Sequence, residues 1–160
     1  LSQSEKEIEQ GLPELLALYN KGGEQPVAKY YSEKELPEIL QDILSTCEEQ
    51  GEHMYRAYSA PVVREELYSD FPTFSDVRVA KNISVKVIAF GEGGSLRGLD
   101  ERRYLPGTPH TPTSIFIYPG KTAYISRNAK KEIVGVVIDN DGVYETQKMT
   151  FDALWDTLSS

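Results

Sequence analysis

Two stretches of the chain carry apolar side chains at helical spacing. In the first, Ile8, Leu12, Leu15, Leu16 and Tyr19 recur every three or four positions behind a Ser4–Glu7 capping box, Pro13 interrupts them, and Gly22-Gly23 ends the run. In the second, Leu36, Ile39, Leu40, Ile43, Leu44 and Cys47 share one face, with Ser32 and Glu35 as a second capping box, Pro37 in the first turn and Gly51 as the stop. Between and after them the pattern shortens to strand-like runs: residues 26–31, Met54 to Ala60, and the β-branched Ile83 to Phe90. Ser114 to Tyr118 and Thr122 to Ser126 read as a hairpin about Pro119-Gly120, and Ile133 to Ile138 as a strand apolar enough to be buried on both faces. Pro61 to Ser69 reads as a short helix. Asp70 to Lys81 is a long irregular connection, Ser95 to Tyr104 a polar stretch, and Leu105 to Pro112 a proline-rich loop. Asn140-Asp141-Gly142 turns the chain into a last helix bearing Tyr144, Phe151, Leu154, Trp155 and Leu158.

That order predicts an α/β fold, a sheet flanked by helices, with a linker or dimerisation helix over residues 1–22 and the domain proper over 23–160. The Ile83–Phe90 and Ile133–Ile138 strands are expected in the central sheet, side by side or nearly so.

A length of 160 residues suits one such domain. No apolar run reaches the ~18–20 residues of a membrane span, and residues 1–9 are acidic where a secretion signal is basic and then apolar. With Cys47 as the one cysteine, a reducing, cytoplasmic setting is the simplest expectation. Net charge is −8, with 25 Asp and Glu against 17 scattered Lys and Arg. A module that grips nucleic acid alone needs a basic face, so this composition argues against unaided DNA or RNA binding. The start at Leu1 suggests processing, or a fragment.

Few motifs carry chemistry. Gly91-Glu92-Gly93-Gly94 lacks the Gly-Lys-Ser/Thr of a phosphate loop, and Leu96 stands where GxGxxG needs its third glycine, so it reads as a turn. Asp139-Asn140-Asp141-Gly142 opens like a calcium loop, but position twelve is Thr150, and a turn with an aspartate cap accounts for it better. His53 and His110 have no ligands at metal spacing, so no metal site and no cofactor are expected. Cys47 continues a buried stripe and reads as core. Glu101-Arg102-Arg103-Tyr104-Leu105-Pro106 is the densest positive cluster; arginine forks suit carboxylate, phosphate or sugar hydroxyls.

Several phrases in order resemble the effector-binding domain of TrmB-like transcriptional regulators: Leu12-Pro13-Glu14-Leu15, the cluster just named, Thr113 to Tyr118, Lys121 to Ser126, Glu145 to Met149 and Phe151 to Trp155. The resemblance implies a phospholipase D-like fold, a homodimer, a small-molecule effector such as a sugar, and DNA contact only through an N-terminal winged helix-turn-helix missing from this chain. In phospholipase D-like nucleases a strand before a hairpin carries His-x-Lys with an aspartate a few residues on. Laid on this hairpin, those positions are Pro112, Ser114 and a neighbour of Pro119, so the resemblance implies a binding scaffold with no catalytic residues and no enzymatic activity. Ligand sites in such sheets form at strand ends. Those ends offer Tyr30, Tyr31, Tyr58, Ser59, Arg102, Arg103, Ser114 and Ser126 as candidate ligand contacts. Two alternatives stay open: a phospholipase D-like hydrolase with a rearranged active site, and a protein-interaction domain without a small ligand.

Overall fold

The second apolar stripe folds as predicted into α1 (Leu36–Gln50), whose six stripe residues are fully buried. Ser32 and Glu35 close the capping box, the Ser32 backbone N–H and hydroxyl both donating to Glu35 Oε1. Gly51 ends the helix at φ +69°, a left-handed conformation that costs a glycine nothing. The computed structural model describes residues 27–106 and 110–159. The first predicted helix, the 1–22 boundary and most of the proline-rich loop's tip therefore lie outside the described residues.

Seven strands form one mixed sheet: β1 (Val27–Tyr31), β2 (Met54–Ser59), β3 (Ser84–Phe90), β4 (Asp100–Leu105), β5 (Thr113–Tyr118), β6 (Lys121–Arg127) and β7 (Ile133–Asp139). Their order is β1-β7-β6-β5-β2-β3-β4; β2, β3 and β4 run parallel to one another and the remaining pairs are antiparallel. Pairing of β5 with β6 about Pro119-Gly120 matches the predicted hairpin. The expected neighbourhood of β3 and β7 does not hold. Both are interior strands of one sheet, but the hairpin and β2 separate them. Nor is β7 buried equally on both sides: Ile133, Gly135 and Val137 are fully covered, while Val134, Val136 and Ile138 are half-covered.

Three further α-helices complete the architecture. The helices α2 (Pro61–Leu67) and α3 (Phe74–Ala80) join α1 on one face of the sheet, and α4 (Asp141–Trp155) covers the other. α3 lies inside the segment expected to be irregular, and β4 inside the stretch expected to be merely polar. Asn140, not an aspartate, caps α4, its Oδ1 accepting from the Val143 N–H. Strand alternation sorts the core. Tyr55, Ala57, Val85, Val87, Phe116 and Ile125 face α1–α3; Tyr58, Ile88 and Ile117 face Tyr144, Phe151 and Trp155 of α4.

Parallel strands need a crossover, commonly a helix of a dozen or more residues. Between β3 and β4 it is a nine-residue segment, 91–99, with no helix. Gly91, Gly93, Gly94, Gly98 and Leu99 all take positive φ there, which explains the glycine run without a phosphate loop. The crossover is pinned at its far end. Asp100 accepts from the Arg97 and Gly98 N–H groups, and the buried Arg78 guanidinium donates to the carbonyls of Ile83, Gly98 and Leu99.

Candidate ligand-binding site

The same alternation decides which candidate residues can meet. Ser59 of β2, Arg102 of β4 and Ser114 of β5 point to the α1–α3 face and line a cavity of about 210 Å³. Tyr58 and Arg103, each one residue away from a lining residue, point to the opposite face. Tyr58 is buried against Phe90 and Phe151. Arg103 stacks 4.5 Å from the Trp155 ring centre and donates to the Trp155 carbonyl at 2.6 Å, so it fastens α4. Tyr30 is 78% exposed on edge strand β1, and Tyr31 is buried core. Ser126 sits on β6, its hydroxyl 2.8 Å from Thr113 Oγ1. The ligand contacts expected at Tyr30, Tyr58 and Ser126 are therefore not assembled with the others, and Arg103 meets Arg102 only in a separate hollow that it shares with Leu96, Tyr104 and Trp155.

The cavity also recruits residues that sequence reasoning missed. Arg64 of α2 and Tyr68 just beyond it stand four positions apart on the helix face that buries Val63 and Leu67, and Phe74 and Arg78 repeat that spacing in α3. A cation inside an apolar stripe was the available signal.

Arg64, Arg78 and Arg102 all reach the cavity, but they are satisfied differently. Arg78 spends its donors on three backbone carbonyls. Arg64 makes one bond, Nε to Ser59 Oγ at 3.3 Å, and its buried Nη2 has no hydrogen-bond partner; neither has the buried Nε of Arg102. Among the described residues no carboxylate comes within 4.0 Å of either group. Burial, and secondarily the positive charge of Arg102, lower the Arg64 pKa. Burial pushes the Tyr68 hydroxyl up to about 12 despite the neighbouring arginines. Over these groups passes the glycine crossover. A Cβ on Gly94 would collide with the Arg102 guanidinium, and one on Gly93 would stand 3.1 Å from Arg64 Nη1. Ser114 Oγ accepts from the Ala60 N–H at 2.8 Å, and its own hydrogen is not donated to any described group. The described residues include no cluster of three or more His, Cys, Asp or Glu side chains placed to hold a metal.

No family profile and no curated sequence matches the chain. Solved structures do. NucT from Helicobacter pylori superposes with a TM-score of 0.61 at 10% identity, covering 85% of this chain and 99% of that one. Nuc from Salmonella typhimurium, a phospholipase D family member, gives 0.52 at 15% identity over 84% and 97%. The fold is phospholipase D-like. TrmBL2, an archaeal chromatin protein described as showing a novel mode of DNA binding, gives 0.53 at 13% identity over 98% of this chain. The chain spans 63% of TrmBL2's length. These likenesses correct one expectation. The missing His-x-Lys pair argues for a chain with no enzymatic activity, but the phospholipase D-like fold shared with NucT and Nuc overturns that exclusion. One motif read from one hairpin does not decide what a cavity built also from β2, α2 and β4 can do.

Proposed function

We propose that this chain is the effector-binding domain of a TrmB-like transcriptional regulator, with its small polar ligand in the cavity between α2, α3 and the sheet. One observation carries the reading: Ser59, Arg64, Arg102 and Ser114 come from four separate elements and converge on one cavity of about 210 Å³. A ligand gripping several elements favours one of their arrangements over another, which is what a sensor requires. Likeness to TrmBL2 over nearly the whole chain supports the regulator class. DNA contact through a preceding domain, and pairing of two chains through the helix expected before residue 22, belong to the same proposal. The test is thermal unfolding of the chain with millimolar glucose, maltose and glucose 6-phosphate. At least one should raise the midpoint saturably, as binding to the folded state must. No shift with any, and no heat of binding by calorimetry, would contradict the reading.

A second reading has its own support. Ser114, which the resemblance lays on the family's lysine position, faces the cavity beside two arginines suited to phosphate. This favours a phospholipase D-like hydrolase with a rearranged active site. It requires release of p-nitrophenolate from bis(p-nitrophenyl) phosphate, abolished by Arg102→Ala; turnover that survives that change would remove it.

A further inference from the structure

Arg64 and Arg102, which line the cavity, are paired with no carboxylate among the described residues. In a chain with 25 Asp and Glu against 17 Lys and Arg, carboxylate partners are plentiful, yet among the described residues none reaches Arg64 or Arg102. Arg78, in the same cavity, shows what a structural arginine looks like here, with its donors on carbonyls. Leaving two like-charged guanidiniums side by side with buried, unsatisfied N–H groups is unfavourable unless something else completes them. Packing does not explain their position either, because the crossover gives up side chains at Gly93 and Gly94 to pass over them.

We propose that the cavity takes the terminal phosphate of a small phosphomonoester, held between Arg64 and Arg102 and capped by the hydroxyls of Ser59 and Ser114. The inference rests on the cavity being the ligand site and adds the ligand's chemistry. Charge selects the group: two guanidiniums match a phosphomonoester, which carries about −1.5 to −2 near neutral pH, better than a monoanionic diester or carboxylate. Donor count agrees. Two forks and two hydroxyls suit three terminal oxygens, and both hydroxyls already accept a bond from the protein, Ser59 from Arg64 Nε and Ser114 from the Ala60 N–H, which leaves each free to donate. Size agrees as well, since about 210 Å³ falls below the ~300–1,000 Å³ of sites that enclose a whole drug-sized ligand. The phosphate sits inside and the rest of the molecule extends outward past the exposed lining residues, among them Pro72, Asp76 and Ser95.

Inorganic phosphate is the probe, titrated calorimetrically at constant ionic strength into the chain and its Arg64→Gln, Arg102→Gln and Lys130→Gln variants, with dimethyl phosphate and maltose as parallel ligands. Saturable binding is expected in the unaltered chain, at least tenfold weaker in each arginine variant and unchanged in Lys130→Gln, which alters an exposed cation outside the cavity. Dimethyl phosphate should bind at least tenfold more weakly than phosphate. The ligand-free melting temperature of Arg102→Gln should equal or exceed that of the unaltered chain, because one of two repelling charges is gone; a fall would assign the guanidinium to the fold and overturn the inference. Phosphate affinity indifferent to both arginines would overturn it too. Maltose binding without phosphate binding would sink the inference and leave the cavity reading standing. Binding of no ligand would sink both.

Discussion

Tyr58 and Ser59, and again Arg102 and Arg103, are neighbours in sequence that strand alternation sends to opposite faces. The sequence made all four legible as strand-end residues, but it could not say which parity faces which helix layer. Only the members of each pair that share a face with α2 entered the cavity. Cys47 was legible outright from its place in the α1 stripe. It is fully buried, and its thiol is pushed up to about 12 by burial and secondarily by Glu52. It should resist Ellman's reagent in the native protein at pH 8 and react fully in denaturant; rapid native labelling would contradict that placement. Burial likewise raises the hydroxyl pKa of Tyr55, Tyr58, Tyr68, Tyr118 and Tyr144 above the free value. An acid whose pKa is higher folded than unfolded contributes stability below the unfolded value, about 10, and loses it as pH rises beyond. Urea unfolding should therefore weaken between pH 10.5 and 11.5 by at least the ~1.4 kcal/mol per pH unit of a single group. A flat profile across that window would mean these hydroxyls ionise in the folded state.

Among the elements, those with a strong period were readable and those without were not. The α1 stripe, the hairpin and the β-branched strands each bury a face, so selection for apolar residues writes their period into the sequence. β4 is an edge strand with no fully buried residue, and a polar edge is how sheets avoid pairing with other chains. α3 spans two turns, too short for its Phe74–Arg78 pair to register as a repeat. Both missed elements border the cavity, which hides the role of the glycine crossover from the sequence; Arg64 lies on α2, a helix that was legible without the cavity it faces. On the opposite face, Arg56 of β2 grips Asp152 of α4 through Nε and Nη2 at 2.7 and 3.1 Å. Asp152→Ala should leave that nearly buried guanidinium unpaired and cost roughly 2 kcal/mol, in the range of a charged hydrogen bond, since Asp152 itself is partly solvated. A change below ~0.5 kcal/mol in urea unfolding would show the pair to be ornamental to stability.

Across the whole molecule, the α/β class followed from the order of elements, while the strand order did not. Nothing local in β3 or β7 records that the hairpin and β2 insert between them. Global charge is a property of the sequence alone, and it sets an expectation at this scale. With a net charge of −8, the chain by itself should not bind duplex DNA in fluorescence anisotropy at ~0.15 M salt. Sub-micromolar binding would show that a local basic surface outweighs the net charge. In the proposed function one cavity, roofed by the glycine crossover, receives the ligand. Backbone amide chemical shifts recorded by NMR during titration with glucose 6-phosphate, which offers both a sugar and a phosphomonoester, test it most directly. Saturable shifts are expected to concentrate at Ser59, Arg64, Gly93, Gly94, Arg102 and Ser114, with the exposed β1 edge around Tyr30 unmoved. Shifts centred elsewhere on the sheet, or none at millimolar ligand, would contradict it.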